Sequence, residues 1–204
     1  MFRRGFKTWC EGTAEHVRRR LGLLATAPLP PERLAKLLNA QIWSVDDIVA
    51  LPADVRTRLK TTHAHVWSAL TLGAKPPHVI ICNPAHSPER RSSDLMHELA
   101  HILLDHTPGN MFFGAGGLAL RTHNREQEDE ARWLSACLLL PRESLFLILR
   151  SGWSDDETCA RYGVSKDMLA FRRQTTAVER QFFGRGARGS SSPQRDLRRK
   201  RTQE

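Results

Sequence analysis

Apolar residues recur at helical spacing in the first part of the chain. Residues 6–24 carry apolar side chains at every third or fourth position, which predicts a first helix. Proline is well tolerated in the first turn of a helix, so a second helix is expected to begin at Pro31. Ser44 and Asp47 have the spacing of a capping box, which predicts a short helix that ends near Pro52.

The pattern changes in the middle of the chain. Residues 66–72 and 79–82 are rich in apolar and β-branched residues and are separated by a segment with glycine and prolines, which predicts two strands. Ser87 followed by Pro88 is a favourable helix start, because serine caps the helix and proline fits its first position. The helix that begins there is expected to run to about His106.

The remaining segments are predicted to be mainly helical. Residues 107–122 are rich in glycine and are expected to form a long loop. A helix is predicted from about Asn124 to Leu140, followed by three shorter helical pieces up to about Phe183. The elements together predict an α+β fold that is mainly helical and contains a small antiparallel sheet.

Composition limits the class of protein. The 204 residues are 40% apolar with a mean hydropathy of −0.44, and no apolar run approaches the about 18–20 residues that span a bilayer. The N-terminus lacks the apolar stretch of a signal peptide. The four cysteines lie far apart without a Cys-x-x-Cys pair, which argues against a disulfide framework. We therefore expect a cytoplasmic protein with no membrane partner.

The net charge of +9 comes from the two ends of the chain. Residues 1–20 carry +4 and residues 184–204 carry +5, whereas residues 21–183 are neutral. The main body is therefore not expected to be a strong polyanion binder. The basic C-terminal segment is predicted to be a disordered tail with weak affinity for polyanions.

One motif carries clear chemistry. His97-Glu98-Leu99-Ala100-His101 lies within the predicted long helix. Histidines four residues apart share one helical face, so both rings can bind a single metal ion. Glu98 is turned away from His97, and its carboxylate can reach a water bound to the metal. This pattern favours a zinc site with an adjacent general base.

A catalytic zinc site usually takes a third protein ligand. The next long helix begins with the acidic residues Glu126, Glu128, Asp129 and Glu130. Helical periodicity places Glu128 only slightly closer to the inner face than Glu130, so the residues alone leave both open. Glu126 and Asp129 are expected to face water.

The histidine motif and the acidic start of the next helix together resemble the ImmA/IrrE family of metallo-endopeptidases. The likeness extends over about residues 6–175 and rests on two segments: His97-Glu-Leu-Ala-His101 and Glu128-x-Glu130-Ala131-x-x-Leu134-Ser-Ala136-x-Leu-Leu-Leu-Pro141. The family pattern for the second segment is Glu-x-Glu-Ala-Asn-x-Phe-Ala-x-x-Leu-Leu-Met-Pro. This chain departs from it at several positions, including Arg132, Leu134 and Leu140.

The resemblance implies a zincin-like, gluzincin-type peptidase fold with one Zn²⁺. In this family the third zinc ligand is the first glutamate of the second segment, which is Glu128 here. Zinc lowers the pKa of its bound water, and Glu98 would take the proton during attack on a peptide carbonyl and return it to the leaving amine. The residues that could also stabilise the oxyanion are His63, His65, His123, Tyr162 or an arginine.

Four segments follow from this interpretation. Residues 1–60 would form the N-terminal helical part and residues 61–150 the zincin core. Residues 151–183 would form a helical segment that resembles a helix-turn-helix, and residues 184–204 the basic tail. Strand 66–72 or strand 79–82 would offer a sheet edge to an extended substrate.

The segment that resembles a helix-turn-helix has two interpretations. Ser154 and Glu157 are spaced as a capping box, and a second helix with Arg172 and Arg173 follows a turn at Gly163. The segment could bind DNA through this second helix, or it could be a helical hairpin that packs on the peptidase. We expect packing, with DNA a possible but weak partner.

Two functions of different class follow. The first is a zinc endopeptidase, for which the family resemblance implies a helix-turn-helix repressor as substrate and derepression of stress or mobile-element genes as result. The alternative is a DNA-binding transcriptional regulator with a structural or sensory metal site. Glu98 favours the enzyme, because a structural or sensory site needs no general base.

Overall fold

The computed structural model describes residues 2–73, 75–106, 111–113, 119–121 and 124–186. Its helices are α1 Phe6–Arg20, α2 Pro31–Leu37, α3 Ala53–Lys60, α4 Pro88–Leu103, α5 Arg125–Leu139, α6 Arg142–Ser151, α7 Asp155–Tyr162, α8 Lys166–Thr176 and α9 Val178–Gly186. Its strands are β1 Ala40–Trp43, β2 Ala69–Leu72, β3 His78–Cys82, β4 Met111–Phe113 and β5 Ala119–Arg121. Helices predominate, which confirms the predicted mainly helical α+β class.

The main sheet has the strand order β1-β3-β2. Strands β2 and β3 are antiparallel, with Thr71 opposite Ile80, as predicted. Strand β1 was not predicted and runs parallel to β3, with Ile42 opposite Ile80. Because β3 is paired on both sides, the expectation that residues 79–82 could offer a sheet edge is wrong. Strand β2 is the outer strand next to α4.

Strand β2 is shorter than the apolar pattern predicted. Residues 64–66 form a 3₁₀ turn, and the Val66 side chain is exposed. The side-chain amide of Asn83 donates hydrogen bonds to the carbonyl oxygens of Ala64 and Trp67 at 2.7 and 2.9 Å. These bonds hold the chain in a turn, so the strand begins only at Ala69. Tertiary contacts therefore override the local β preference of this segment.

Three other predictions are corrected. Within residues 107–122, predicted as a loop, strands β4 and β5 form an antiparallel pair with Phe112 opposite Leu120. The capping box of Ser44 and Asp47 is present, but it begins a 3₁₀ turn instead of a helix. Between Pro141 and Gly186, where the structure describes every residue, the chain forms four helices instead of three, and α9 extends to Gly186.

Helices α4 and α5 pack side by side and position the candidate site. The Ser87 hydroxyl accepts a hydrogen bond from the backbone N–H of Arg90 and caps α4, and the Asn124 side chain caps α5 in the same way. Their facing residues are fully buried, among them Leu99 and Leu134. No helix in the described part of the chain is long and apolar enough to cross a membrane.

Candidate metal centre

The two histidines of α4 face the same space, as their spacing predicts. The His97 and His101 rings have centroids 4.8 Å apart, and their Nε2 atoms are 3.1 Å apart. His101 is almost fully buried, whereas the His97 side chain is one quarter exposed. The pair is therefore anchored in the core at one end and open to solvent at the other.

Glu128 of α5 completes the cluster. Its Oε2 lies 3.1 Å from Nε2 of His97, and its Oε1 lies 3.6 Å from Nε2 of His101. The three ligand atoms lie within 4.8 Å of one another. Two imidazole nitrogens and a carboxylate oxygen that converge in this way need a shared cation or shared protons, and this donor set suits zinc. Arg132, one turn after Glu128, is exposed on the outer side of α5.

The structure distinguishes Glu128 from Glu130, which helical periodicity left open as candidates for the third metal ligand. Glu128 joins the two histidines of α4, whereas the Oε2 atom of Glu130 lies 3.3 Å from Nε2 of His106. Glu126 and Asp129 are both exposed, as expected. The angular difference between Glu128 and Glu130 on the helix therefore directs Glu128 to His97 and His101 and Glu130 to His106.

Sequence reasoning missed His106 as a member of this site. The Nδ1 atom of His106 lies 2.9 Å from Nδ1 of His101, and its side chain is only 7% exposed. Burial lowers the pKa of His106 below its usual value of 6.5, although the hydrogen bond with Glu130 acts in the opposite direction. The only signal in the sequence was a histidine just beyond the end of the motif helix.

Glu98 lies beside the cluster and points to the sheet. Its carboxylate Oε2 accepts two hydrogen bonds from Thr71 of β2, one from the backbone N–H at 3.1 Å and one from the hydroxyl at 2.5 Å. Glu98 is 4% exposed. No pattern in the sequence indicated this role for Thr71, because its contact with Glu98 depends on how β2 packs against α4.

The suggested oxyanion residues lie in different places. Tyr162 is buried, and its hydroxyl donates a hydrogen bond to the carbonyl oxygen of Thr26 at 2.8 Å. This contact gives it a role in packing α7. His63 and His65 are exposed near the turn that precedes β2. His123 lies outside the described residues.

The segment that resembles a helix-turn-helix uses its basic residues for internal contacts. Arg172 of α8 is fully buried and donates hydrogen bonds to the carbonyl oxygen of Leu140 at 2.8 Å and to Glu11 at 2.5 Å. Arg173 is paired with Asp155 at 2.7 Å. These contacts support the interpretation of a hairpin that packs on the rest of the protein.

Comparison with known families identifies the class of this domain. The model of the Peptidase M78 family, described as the IrrE N-terminal-like domain, matches residues 52–173. A search of curated proteins found no match. The matched range is more than half of the chain and contains α4 and α5 with the clustered side chains, which confirms the resemblance noted from the sequence. The chain therefore belongs to the M78 peptidases, a metallopeptidase family, and carries an IrrE N-terminal-like domain.

Proposed function

We propose that this protein is a zinc-dependent endopeptidase that cleaves a regulatory protein. The observation that carries the proposal is the convergence of His97, His101 and Glu128 with a separate buried carboxylate, Glu98, beside them. A purely structural metal site would have no use for this additional carboxylate.

The side chains have distinct roles in this proposal. The Nε2 atoms of His97 and His101 and the carboxylate of Glu128 would hold the metal. When bound, zinc would polarise the substrate carbonyl and activate water at neutral pH. Glu98 would accept a proton from the attacking water and pass it to the amine of the departing peptide. Thr71 holds the Glu98 carboxylate in one orientation through its two hydrogen bonds.

Strand β2 is the proposed docking element for the substrate. Among the described residues it is paired with β3 alone, and Thr71 within it contacts the general base. An extended peptide could add to this strand through backbone hydrogen bonds and would then lie next to Glu98.

The proposed substrate is a helix-turn-helix transcriptional repressor, by resemblance to the ImmA/IrrE family, and the proposed location is the cytoplasm. Cleavage would derepress stress or mobile-element genes. The alternative of a DNA-binding regulator is less favoured, because Arg172 is buried and Arg173 is paired with an acidic residue. Specific DNA readout needs such side chains to reach base edges.

The Glu98→Gln variant tests the mechanism. It should retain zinc and fold normally, because Glu98 lies outside the ligand cluster, and should lose about 10²- to 10⁴-fold in cleavage rate, the usual contribution of a general base. The measurement is cleavage of a repressor encoded near the gene, followed by gel electrophoresis with and without zinc.

Two further variants serve as controls for Glu98→Gln. His97→Ala should lose cleavage through loss of metal, and Asp129→Asn, which changes an exposed acid of α5, should behave like the wild type. If Glu98→Gln cleaves at the wild-type rate, the proposed mechanism is wrong.

A further inference from the structure

The turn that ends α4 has a defined hydrogen-bond pattern. Asp105 has a positive φ of 52°, and its backbone N–H donates to the carbonyl oxygen of Ile102 at 3.1 Å. The backbone N–H of His106 donates to the carbonyl oxygen of His101, also at 3.1 Å. Together these features make a Schellman motif with a left-handed residue just after the helix.

A Schellman motif brings two particular side chains together. The second residue beyond the helix cap packs on the residue at the third position before the cap, and the pair is usually apolar. Here these two positions are occupied by His106 and His101. Their ring centroids are 5.0 Å apart at an interplanar angle of 67°, and their Nδ1 atoms are 2.9 Å apart. The helix end therefore places a polar partner on the outer face of a candidate metal ligand.

The hydrogen bonds of these residues define a single arrangement of protons on neutral rings. The Glu130 carboxylate can only accept, so the Nε2 atom of His106 must carry the proton that it donates. The Nδ1 atom of His106 is then an acceptor, and Nδ1 of His101 must carry the proton between them. This leaves the Nε2 lone pair of His101 directed to the cluster with His97 and Glu128.

We propose that His106 and Glu130 are positioning residues that fix the tautomer and the ring orientation of His101 for metal binding. The inference rests on the proposed metal site and extends it to a carboxylate outside the cluster of His97, His101 and Glu128. Glu128 and Glu130 thus have different tasks although they are two residues apart. Such outer partners of a histidine ligand typically contribute about 10- to 100-fold to metal affinity.

The test is a zinc titration of the metal-free full-length protein against a chromophoric chelator. Glu130→Gln and His106→Phe should each raise the Kd for zinc by about 10- to 100-fold. The matched control is Asp129→Asn, which removes an acid between the two glutamates and should leave the Kd unchanged. Far-UV circular dichroism and urea unfolding of the metal-free variants ensure that only folded proteins are compared.

A conservative variant separates positioning from packing. The side-chain oxygen of His106→Gln can still accept a hydrogen bond from Nδ1–H of His101, whereas the ring of His106→Phe fills the space and cannot. The glutamine variant should therefore bind zinc more tightly than the phenylalanine variant. Nitrogen-15 NMR of the zinc-bound wild type should show the proton of His101 on Nδ1, and His106→Phe should alter that signal.

The results separate this inference from the proposed function. If the wild type binds no zinc, the metal site itself is wrong. If the wild type binds zinc and Glu128→Gln weakens it, while Glu130→Gln and His106→Phe match Asp129→Asn, only the positioning role is refuted. Equal affinity of His106→Gln and His106→Phe would also refute it.

Discussion

At the scale of single residues, Thr71 is the least expected member of the site. It donates both its backbone N–H and its hydroxyl to the same carboxylate oxygen of Glu98. A hydrogen bond to a charged group contributes about 1.5–3 kcal/mol. Thr71 therefore couples the sheet edge to the proposed general base, and the hydroxyl can be removed without changing the backbone donor.

The Thr71→Val variant should lower kcat for repressor cleavage by about tenfold, since one of the two donors to Glu98 is removed at nearly constant shape. Zinc content should stay unchanged, because Thr71 does not belong to the metal cluster. Steady-state cleavage assays and metal analysis measure both effects. Thr71→Ser keeps the hydroxyl and should retain most of the activity; a Thr71→Val enzyme as fast as Thr71→Ser would contradict this role.

The residues differ in how well they could be predicted. His97, Glu98 and His101 follow from a local motif, because a helix fixes the relative directions of side chains four residues apart. Thr71 and His106 could not be predicted in this way. The first depends on the packing of a strand against α4, and the second depends on the turn after the helix.

At the scale of elements, α8 is attached to the rest of the fold by a buried arginine. Arg172 donates hydrogen bonds to Glu11 of α1 and to the carbonyl oxygen at the end of α5. Removal of one partner of a buried ion pair leaves an uncompensated polar group and is strongly destabilising. Arg172 is therefore a structural residue of the α8 helix.

Arg172→Ala should lower the free energy of unfolding by about 3 kcal/mol or more. Arg173→Ala should change it by less than about 1 kcal/mol, because the acidic partners of Arg173 are half exposed. Urea unfolding followed by circular dichroism compares the two variants. The packing interpretation fails if Arg172→Ala is as stable as the wild type, or if sequence-specific DNA binding is abolished by Arg173→Ala in a folded protein.

Element types were predictable where caps and periodicity agreed. Helix α4 is capped by Ser87, as predicted, and α5 begins directly after Asn124, close to its predicted start. Strand β1 is only four residues long and gains its stability from pairing with β3, so its local pattern was too short to indicate a strand. The β4 and β5 strands are still shorter, and the glycines between them favoured a loop in the sequence interpretation.

At the scale of the whole molecule, buried polar residues connect distant parts of the chain. The guanidinium of Arg18 in α1 donates to the carbonyl oxygens of Ala14, Ala27 and Leu138 and is fully buried. Glu11 accepts hydrogen bonds from Arg172 and from the backbone N–H of Arg142. The predicted N-terminal part and the C-terminal helical segment therefore share polar contacts with the core helix α5 and the residues that follow it.

The uneven charge of the molecule leads to a prediction about polyanions. Residues 187–204, which follow α9, contain six Lys or Arg residues and two acids. Deletion of this segment should reduce nonspecific binding to duplex DNA and flatten its salt dependence, by up to about 0.9 in the logarithmic slope for each phosphate that the tail neutralises. Fluorescence anisotropy over a range of salt concentrations measures the slope, with Arg173→Ala in the full chain as the control.

The outcome distinguishes residues 187–204 from the rest of the chain as the source of DNA affinity. An unchanged slope after deletion would mean that the body binds the phosphates. In that case the DNA-binding alternative would regain support.

The turn after α4 has a consequence for protein engineering. Its hydrogen bonds require a fixed number of residues between His101 and His106 and a residue that tolerates a left-handed backbone at position 105. The intervening side chains are otherwise unconstrained by this geometry. The same arrangement could therefore be built into an unrelated helical zinc site. The left-handed residue, a glycine or an aspartate, would stand four positions after the last histidine ligand, and the outer histidine would follow it directly. The design therefore depends on the number of residues in the turn that ends the helix, and it needs no preformed pocket around the second histidine.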